Sequence, residues 1–275
     1  MFRTLPLIVS WFFCGCVVNE PTFTPVEQSV LSPNGISPNG ISPNGTPIGV
    51  AVVGPPLSGA GLVGSTWTAN LSDGTTTTLR VDEALQGTGA NTDVWSYRLS
   101  VAVSGTFRPL CTDPAGNPIF ADSVPGSWNL AQGVPGGGSY HPEDTTVFSV
   151  ACRGSAIAKC VELGYKPWTG HERELAACVR ALRGDYCGDG TPYTVNGTLV
   201  NIYDDAGIQP DAADWDPESG WTPDGATCVS KKKQARFEQV AQERPWCYPH
   251  ALEPEKSCGT EFTGGVAIIT ELPPL

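Results

Sequence analysis

The chain has 275 residues, a formal net charge of −12 and only 16% charged residues, with 32 glycines and 25 prolines. That length accommodates one large domain or two small ones. The acidic balance argues against a nucleic-acid partner, because such a surface repels phosphate, and the abundance of Gly and Pro favours a turn-rich β or α+β protein over a helical bundle.

Residues 1–15 have the pattern of a lipoprotein signal peptide. An arginine near the start precedes an apolar stretch, Leu5 to Phe13, that is too short to span a bilayer. The stretch ends in Phe13-Cys14-Gly15-Cys16, which resembles a lipobox with Phe in place of the usual Leu. We therefore predict that Cys16 is lipidated and anchors an exported protein in the bacterial envelope, at the outer membrane or cell surface. An ordinary signal peptide cleaved nearby is the alternative.

Residues 16–46 form the lipidated cysteine and a linker. Three near-identical pentapeptides, starting at Leu31, Ile36 and Ile41, each carry Ser-Pro-Asn-Gly. Such repeats favour turns and cannot build a hydrophobic core on their own. As a flexible coil, about thirty residues would span roughly 30 Å, which predicts a tether that lifts a globular domain, residues 47–275, above the membrane.

The first part of this domain has the pattern of β-strands. Asp73-Gly74 separates a strand around Trp67 from a return strand, Thr75 to Val81, which predicts a hairpin. Between Trp95 and Val103 apolar and polar residues alternate, as in a strand with one buried face. The residues from Phe148 to Cys152 repeat that alternation.

Two helices follow these strands. The first spans Ala156 to Leu163 and stops at Gly164. For the second, Thr169 and Glu172 predict a capping box, and Gly184 a left-handed C-terminal cap. Its apolar residues at helical spacing predict one buried stripe, namely Leu175, Cys178, Val179 and Leu182.

The remaining elements are predicted with weaker patterns. Asn196-Gly197 predicts a hairpin between Tyr193–Val195 and Leu199–Tyr203, while Lys232 to Gln242 predicts a third helix and Val266 to Thr270 a last strand. The fold class is therefore α+β, a predominantly antiparallel β domain with two or three short helices inserted. No second domain boundary is evident.

Ten cysteines divide in a way that fits an oxidising compartment. Without Cys14 and Cys16, eight remain, an even number with no Cys-x-x-Cys spacing, so disulfides are favoured over zinc. We predict a disulfide-stapled domain, with Cys247–Cys258 as the preferred local pair and Cys160–Cys178, between neighbouring helices, as the next. The eight candidates are Cys111, Cys152, Cys160, Cys178, Cys187, Cys228, Cys247 and Cys258.

The sequence around the second helix resembles a known family. Gly184-Asp185-Tyr186-Cys187-Gly188-Asp189-Gly190, with flanking fragments such as Leu163-Gly164-Tyr165-Lys166-Pro167-Trp168 and Trp221-Thr222-Pro223-Asp224-Gly225, is similar to the ADYC-domain family over roughly residues 50–260. Gly184 departs from the Ala of the family name, at a position that ends a helix. The resemblance implies an exported bacterial envelope protein of unknown function and supplies no catalytic residues.

Motifs for common hydrolytic chemistry fail in this sequence. His171-Glu172 lacks the second histidine of a zincin, because position 175 is Leu. A Cys-His nucleophile would need Cys178 or Cys187 as a thiol, and both are predicted to be bridged. Neither a nucleophile elbow nor a phosphate-binding loop occurs.

Acidic residues are concentrated between residues 185 and 218. The loop from Asp214 fails as an EF-hand, because Ser219 stands where glycine is required. A looser calcium site and a pair of glycosidase carboxylates, with Trp168, Trp215 and Trp221 stacking on sugar, stay open. Solvated or turn-capping carboxylates and core tryptophans are the simpler interpretation. The calcium candidates are Asp185, Asp189, Asp204 and Asp205.

These observations favour a lipid-anchored envelope protein with a non-enzymatic binding or structural role, without a cofactor. Its expected partners are the membrane, through the anchor, and an envelope protein or a cell-wall glycan. The alternatives are an envelope hydrolase that acts on carbohydrate through paired carboxylates and a calcium-stabilised adhesion module. For the motif itself we predict an architectural role, in which Asp185 accepts backbone N–H groups where the helix ends.

Overall fold

A computed structural model describes residues 50–71, 76–194, 198–230, 235–239, 244–248 and 258–274. Its helices are α1 (Ala156–Glu162), α2 (Glu172–Arg183) and α3 (Arg236–Gln239), with 3₁₀ turns at Ala60–Leu62, Gly89–Asn91 and Pro167–Thr169. Its strands are β1 (Val50–Val53), β2 (Thr66–Leu71), β3 (Thr76–Gln86), β4 (Trp95–Val103), β5 (Thr106–Pro109), β6 (Ala121–Pro125), β7 (Ser127–Trp128), β8 (Tyr140–His141), β9 (Val147–Cys152), β10 (Asn201–Asp204), β11 (Asp216–Thr222), β12 (Gly225–Val229) and β13 (Ile268–Leu272).

The N-terminal strands form a sheet that closes on itself. Its strand order is β3-β2-β1-β9-β6-β4-β5, and a further pairing between β3 and β4 joins the two sides. Every registered pair is antiparallel. The predicted hairpin between β2 and β3 forms, with Asn70 opposite Thr76, although its Asp73-Gly74 turn lies outside the described residues.

Apolar side chains at alternate positions fill the interior of this closed sheet. On β4, Tyr97, Leu99 and Val101 are buried, and Phe148 on β9 is 0% exposed. The predicted alternation is therefore confirmed for the inward face. The opposite face of β4 is only partly solvated, because Ser96 is also buried, next to Asp122 on β6.

The two predicted helices are inserted between β9 and β10. Helix α1 begins after Ser155, whose side chain accepts a hydrogen bond from the Ala158 N–H. The predicted capping box of α2 is wrong: His171 is the N-cap and makes no side-chain cap bond, while Thr169 lies in a 3₁₀ turn and donates to the Lys166 carbonyl. A tight turn after Pro167 therefore occupies the residues that the capping box would need.

From Glu174 to Arg183, helix α2 is buried on all sides rather than on one stripe. The predicted stripe is buried, and so are the charged side chains of Arg180 and Arg183. The helix packs against α1 and against β11, β12 and β13. Because these neighbours surround it, its polar side chains must find partners inside the protein.

A second, four-stranded antiparallel sheet has the order β10-β13-β11-β12. The predicted last strand is confirmed as β13, which lies between β10 and β11. The predicted hairpin around Asn196-Gly197 is not formed by strand pairing in the described residues: 191–194 belong to no strand, and β10 pairs with β13 instead. Residues 195–197 themselves lie outside the described part. Of the predicted third helix, Lys232 to Gln242, Arg236–Gln239 are helical (α3), while 232–234 and 240–242 lie outside the described residues.

Four disulfides staple these layers, and all eight predicted cysteines take part. Cys160–Cys178 joins α1 to α2 as predicted. The preferred local pair, Cys247–Cys258, is wrong, because the fold brings Cys247 beside the motif and Cys258 beside β12. The full set is Cys111–Cys152, Cys160–Cys178, Cys187–Cys247 and Cys228–Cys258.

The fold class is α+β, mostly antiparallel sheet with short helices and disulfide staples. Four disulfides indicate a protein that folds in an oxidising compartment, as exported proteins do. Within the described ranges, no helix is long and apolar enough to cross a membrane. Residues 1–46, with Cys16 and the linker, lie outside the described residues, and the domain boundaries and lipidation stay predictions.

Candidate functional site

The motif Gly184–Gly190 begins where α2 ends. Gly184 has φ +62° and forms the left-handed C-cap, donating its N–H to the Ala181 carbonyl. A Cβ at this position would lie 3.1 Å from the Tyr193 carbonyl oxygen. Glycine therefore suits the position better than the Ala of the family name.

Asp185 is the centre of the turn that follows. Its carboxylate is 0% exposed, pairs with the Arg180 guanidinium, and accepts the backbone N–H groups of Asp189 (3.1 Å) and Gly190 (2.9 Å). These bonds confirm that Asp185 accepts backbone N–H groups at the helix exit. Burial raises the pKa of the Asp185 carboxyl, and the nearby Arg180 charge opposes that rise.

Arg180 extends this turn to two loops. Its Nη1 donates to the Gly137 carbonyl at 2.5 Å, and its Nε to the Pro223 carbonyl at 2.9 Å. Gly137 and Gly138 have no room for a side chain there, since a Cβ on Gly138 would lie 2.5 Å from Arg180 Nη1. One buried ion pair thus holds together the end of α2, the loop that contains Gly137 and Gly138, and the β11–β12 turn.

Tyr186 points into a buried aromatic and charged network. Its ring centroid lies 4.9 Å from that of Phe237 and 5.0 Å from that of Trp221, and its hydroxyl donates to Glu218 Oε1 at 2.6 Å. Arg236 donates its Nε to the same carboxylate at 2.9 Å and its Nη2 to the Ala181 carbonyl at 2.6 Å. Arg236 therefore also binds the buried carbonyl end of α2.

Opposing effects determine the pKa of Glu218. Burial acts to raise it, but the Arg236 charge and hydrogen bonds from Arg236 and Tyr186 outweigh burial, so the pKa lies below its ordinary value. Thr270 donates to the other carboxylate oxygen at 2.8 Å. Glu218 is thus ionised and fully paired in the core.

The motif is linked to the protein surface through one exposed side chain, that of Trp246. Cys187 is bridged to Cys247, and the adjacent Trp246 donates its indole N–H to Asp189 Oδ2 at 2.7 Å. Asp189 is buried, whereas Trp246 is 70% exposed. We did not single out Trp246 in the sequence; its position next to a bridged cysteine was the available signal.

The four predicted calcium candidates have protein partners. Asp185 pairs with Arg180 and Asp189 with Trp246, as described above. Asp204 accepts the Tyr165 hydroxyl at 3.0 Å and the Gln209 N–H at 2.6 Å, and Asp205 pairs with Arg173. In the part of the chain that the structure describes, no three His, Cys, Asp or Glu side chains form a metal-binding group.

Two of the three tryptophans of the hydrolase alternative have hydrogen-bond partners within the protein. Trp221 is 0% exposed and donates to Thr270. Trp168 is exposed and donates to Asp93, on another loop. A cavity of about 600 Å³ beside β11 and β12 is lined by one carboxylate, that of Glu261. Both cysteines weighed as nucleophiles, Cys178 and Cys187, are in disulfides.

The closed sheet also contains a buried carboxylate, that of Asp122, which the sequence did not predict. Asp122 is 1% exposed, and burial raises its pKa to about 6. The Ser96 hydroxyl donates to Asp122 Oδ1 at 2.5 Å, and this hydrogen bond acts to lower the pKa but does not outweigh burial. Its nearest counter-charge is Arg153, at 3.7 Å and shared with Glu162. Lying on the polar face of a strand, it gave no sequence signal.

The chain matches the model of a known protein family. The model of the ADYC domain family matches residues 59–235. No curated protein and no solved structure matches the chain. The matched range contains every strand of the closed sheet except β1, together with α1, α2 and the motif.

Proposed function

The chain belongs to the ADYC domain family, and we propose that it is a lipid-anchored, non-enzymatic binding module of the bacterial envelope. The observation that carries this proposal is that the motif's side chains bind buried partners except at Asp189. Asp185 and Tyr186 are committed to buried partners, and Asp189 holds one exposed indole, that of Trp246. The motif thus serves as the support for a contact surface.

Trp246 has the properties of a binding residue. Its side chain is fixed by the hydrogen bond to Asp189 and by the disulfide of its neighbour Cys247, so little conformational entropy is lost when a ligand binds. Because the N–H is already used, only the ring faces are offered. Such faces suit the C–H face of a sugar ring, whose hydrogens meet the negative face of the aromatic system.

A cell-wall glycan is the partner that fits this surface and the predicted location. The net charge of −12 repels anionic polymers. A neutral or weakly charged glycan does not incur that repulsion. The tether would let the domain reach such a polymer from the membrane.

Binding is tested with the purified domain and insoluble peptidoglycan in a pull-down assay. We expect Trp246→Ala to lose at least ten-fold in affinity and Trp246→Phe to retain part of it. Trp168→Ala is the matched control, since that indole is also exposed and tied to a carboxylate. If Trp246→Ala binds like the parent protein, the proposed surface is wrong.

Anchoring is tested separately. Cys16→Ser should lose a metabolically incorporated fatty-acid label and leave the membrane fraction in a carbonate wash. Cys14→Ser, in the predicted signal peptide, should keep both. Retention of the label by Cys16→Ser would refute lipidation at this cysteine.

A further inference from the structure

The Cys228–Cys258 disulfide forms part of the wall of the cavity beside β11 and β12. The cavity has a volume of about 600 Å³, and both cysteines line it. The other lining residues are small or apolar, among them Gly220 and Val266, except for the carboxylate of Glu261.

This disulfide differs from the other three in its exposure. Cys160 and Cys178 are 0% exposed, and both cysteines of the bridge in the closed sheet are buried. In the Cys187–Cys247 bridge, Cys247 is 5% exposed. Among these four bridges, only Cys228–Cys258 has two partly exposed cysteines.

Thiol–disulfide exchange requires a thiolate to reach a disulfide sulfur, so access selects which bridge reacts. Glycine at position 220 contributes to that access. A Cβ there would lie 3.1 Å from Cys228 Sγ and 3.0 Å from Val266 Cγ2, in the space beside the sulfur. Since Gly220 lines the cavity, the absence of a side chain there leaves Cys228 Sγ uncovered on that side of the cavity wall.

We propose that Cys228–Cys258 is a thiol-exchange site that takes a small dithiol reductant. One thiolate of the dithiol attacks one of the two sulfurs and forms a mixed disulfide, and the other cysteine leaves as a thiolate. The second thiolate of the dithiol then attacks the mixed disulfide. The products are two protein thiols, after protonation, and the oxidised dithiol, which has supplied both electrons.

The surrounding structure allows this bridge to open locally. Strand β12 stays paired with β11, where Cys228 lies opposite Gly220. Cys247 is held by its own bridge to Cys187, and the chain after Cys258 enters β13 in the interior of the sheet. Reduction would thus change one wall of the cavity and leave the rest of the fold in place.

The test is reduction of the folded full-length protein with dithiothreitol, sampled over time and followed by alkylation and peptide mapping. We expect Cys228 and Cys258 to be alkylated at least ten-fold faster than the other six bridged cysteines. Simultaneous alkylation of all eight, or an earlier reaction of another pair, would overturn the proposal.

Two variants control the assignment. Cys228→Ser/Cys258→Ser should lose the fast phase and keep the slow reactions of the other three bridges at their original rates. Gly220→Ala, which adds a methyl group beside Cys228 Sγ, should slow the fast phase at least three-fold and leave the others unchanged. A fast phase that persists in the double variant would show that the site lies elsewhere.

Discussion

Glu218 in the four-stranded sheet and Asp122 in the closed sheet are equally buried, at 1% exposed each, but their pKa values shift in opposite directions. Glu218 has a fully buried arginine, a tyrosine hydroxyl and a threonine as donors. Asp122 has one serine and the partly exposed Arg153, whose Nε lies 3.7 Å from Oδ1, and among the described residues its Oδ2 has no hydrogen-bond partner. Since burial is equal at these two sites, the number and charge of the donors account for the opposite directions of their pKa shifts.

The two sites therefore have opposite linkage to pH. The lowered pKa of Glu218 contributes stability above its unfolded-state pKa, and that stability is lost as pH falls through the lower folded value. The raised pKa of Asp122 means that the folded state binds the proton more tightly, so stability falls as pH rises from about 4 to about 6. Four substitutions test this contrast.

The largest effect is expected for Glu218→Gln. It leaves the buried Arg236 charge without its counter-ion, which should lower the free energy of unfolding by about 3–5 kcal/mol. Urea unfolding at pH 7 measures it. The control is Glu143→Gln, whose side chain is 72% exposed and whose change should leave the urea midpoint unaltered. A loss below about 1 kcal/mol for Glu218→Gln would contradict the claim that Glu218 is the counter-ion of the buried Arg236.

Asp185→Asn should follow, with a loss of about 3 kcal/mol, because Arg180 is then unpaired in the core. The loss should be smaller than at Glu218, since an amide oxygen can still accept the backbone N–H groups. Adding calcium or a chelator should leave the melting temperature of both proteins unchanged. A calcium-dependent shift in the parent that disappears in the variant would identify Asp185 as a ligand instead.

Asp122→Asn should have the opposite sign. The shift from 3.8 to about 6 corresponds to about 3 kcal/mol at most, and the loss of a charged acceptor for Ser96 reduces the gain to roughly 1–2 kcal/mol at pH 7.5. The gain should disappear near pH 4, where the parent carboxyl is protonated. Unfolding curves at both pH values decide the matter: an equal difference at pH 4 and pH 7.5 would contradict the raised pKa.

Asp189→Asn should have the smallest effect, about 1 kcal/mol, because the residue loses charge-assisted bonds to Trp246 and to the Thr191 N–H but leaves no charge unpaired. Thermal unfolding measures the loss. If Asp189→Asn lowered the stability as much as Asp185→Asn, the loss at Asp185 could not be attributed to an unpaired arginine charge.

Local patterns in the sequence were sufficient for much of the fold. Alternation located β4 and β9, and the spacing of Leu175 with its partners located α2, because these periods follow from strand and helix geometry. The cap at Gly184 and the bonds of Asp185 were also predicted, since both depend on neighbours within a few residues. The Cys160–Cys178 bridge followed from two adjacent helices.

Contacts between distant segments were decided only by the tertiary structure. The bridge from Cys187 to Cys247 spans 60 residues, and Glu218 meets Arg236 and Tyr186 from three separate elements. The closure of the first sheet through β3 and β4 likewise depends on which strand edges meet. Sequence spacing carries no information on such meetings, because they result from the packing of whole layers, and the exposed Trp246 is a product of that packing.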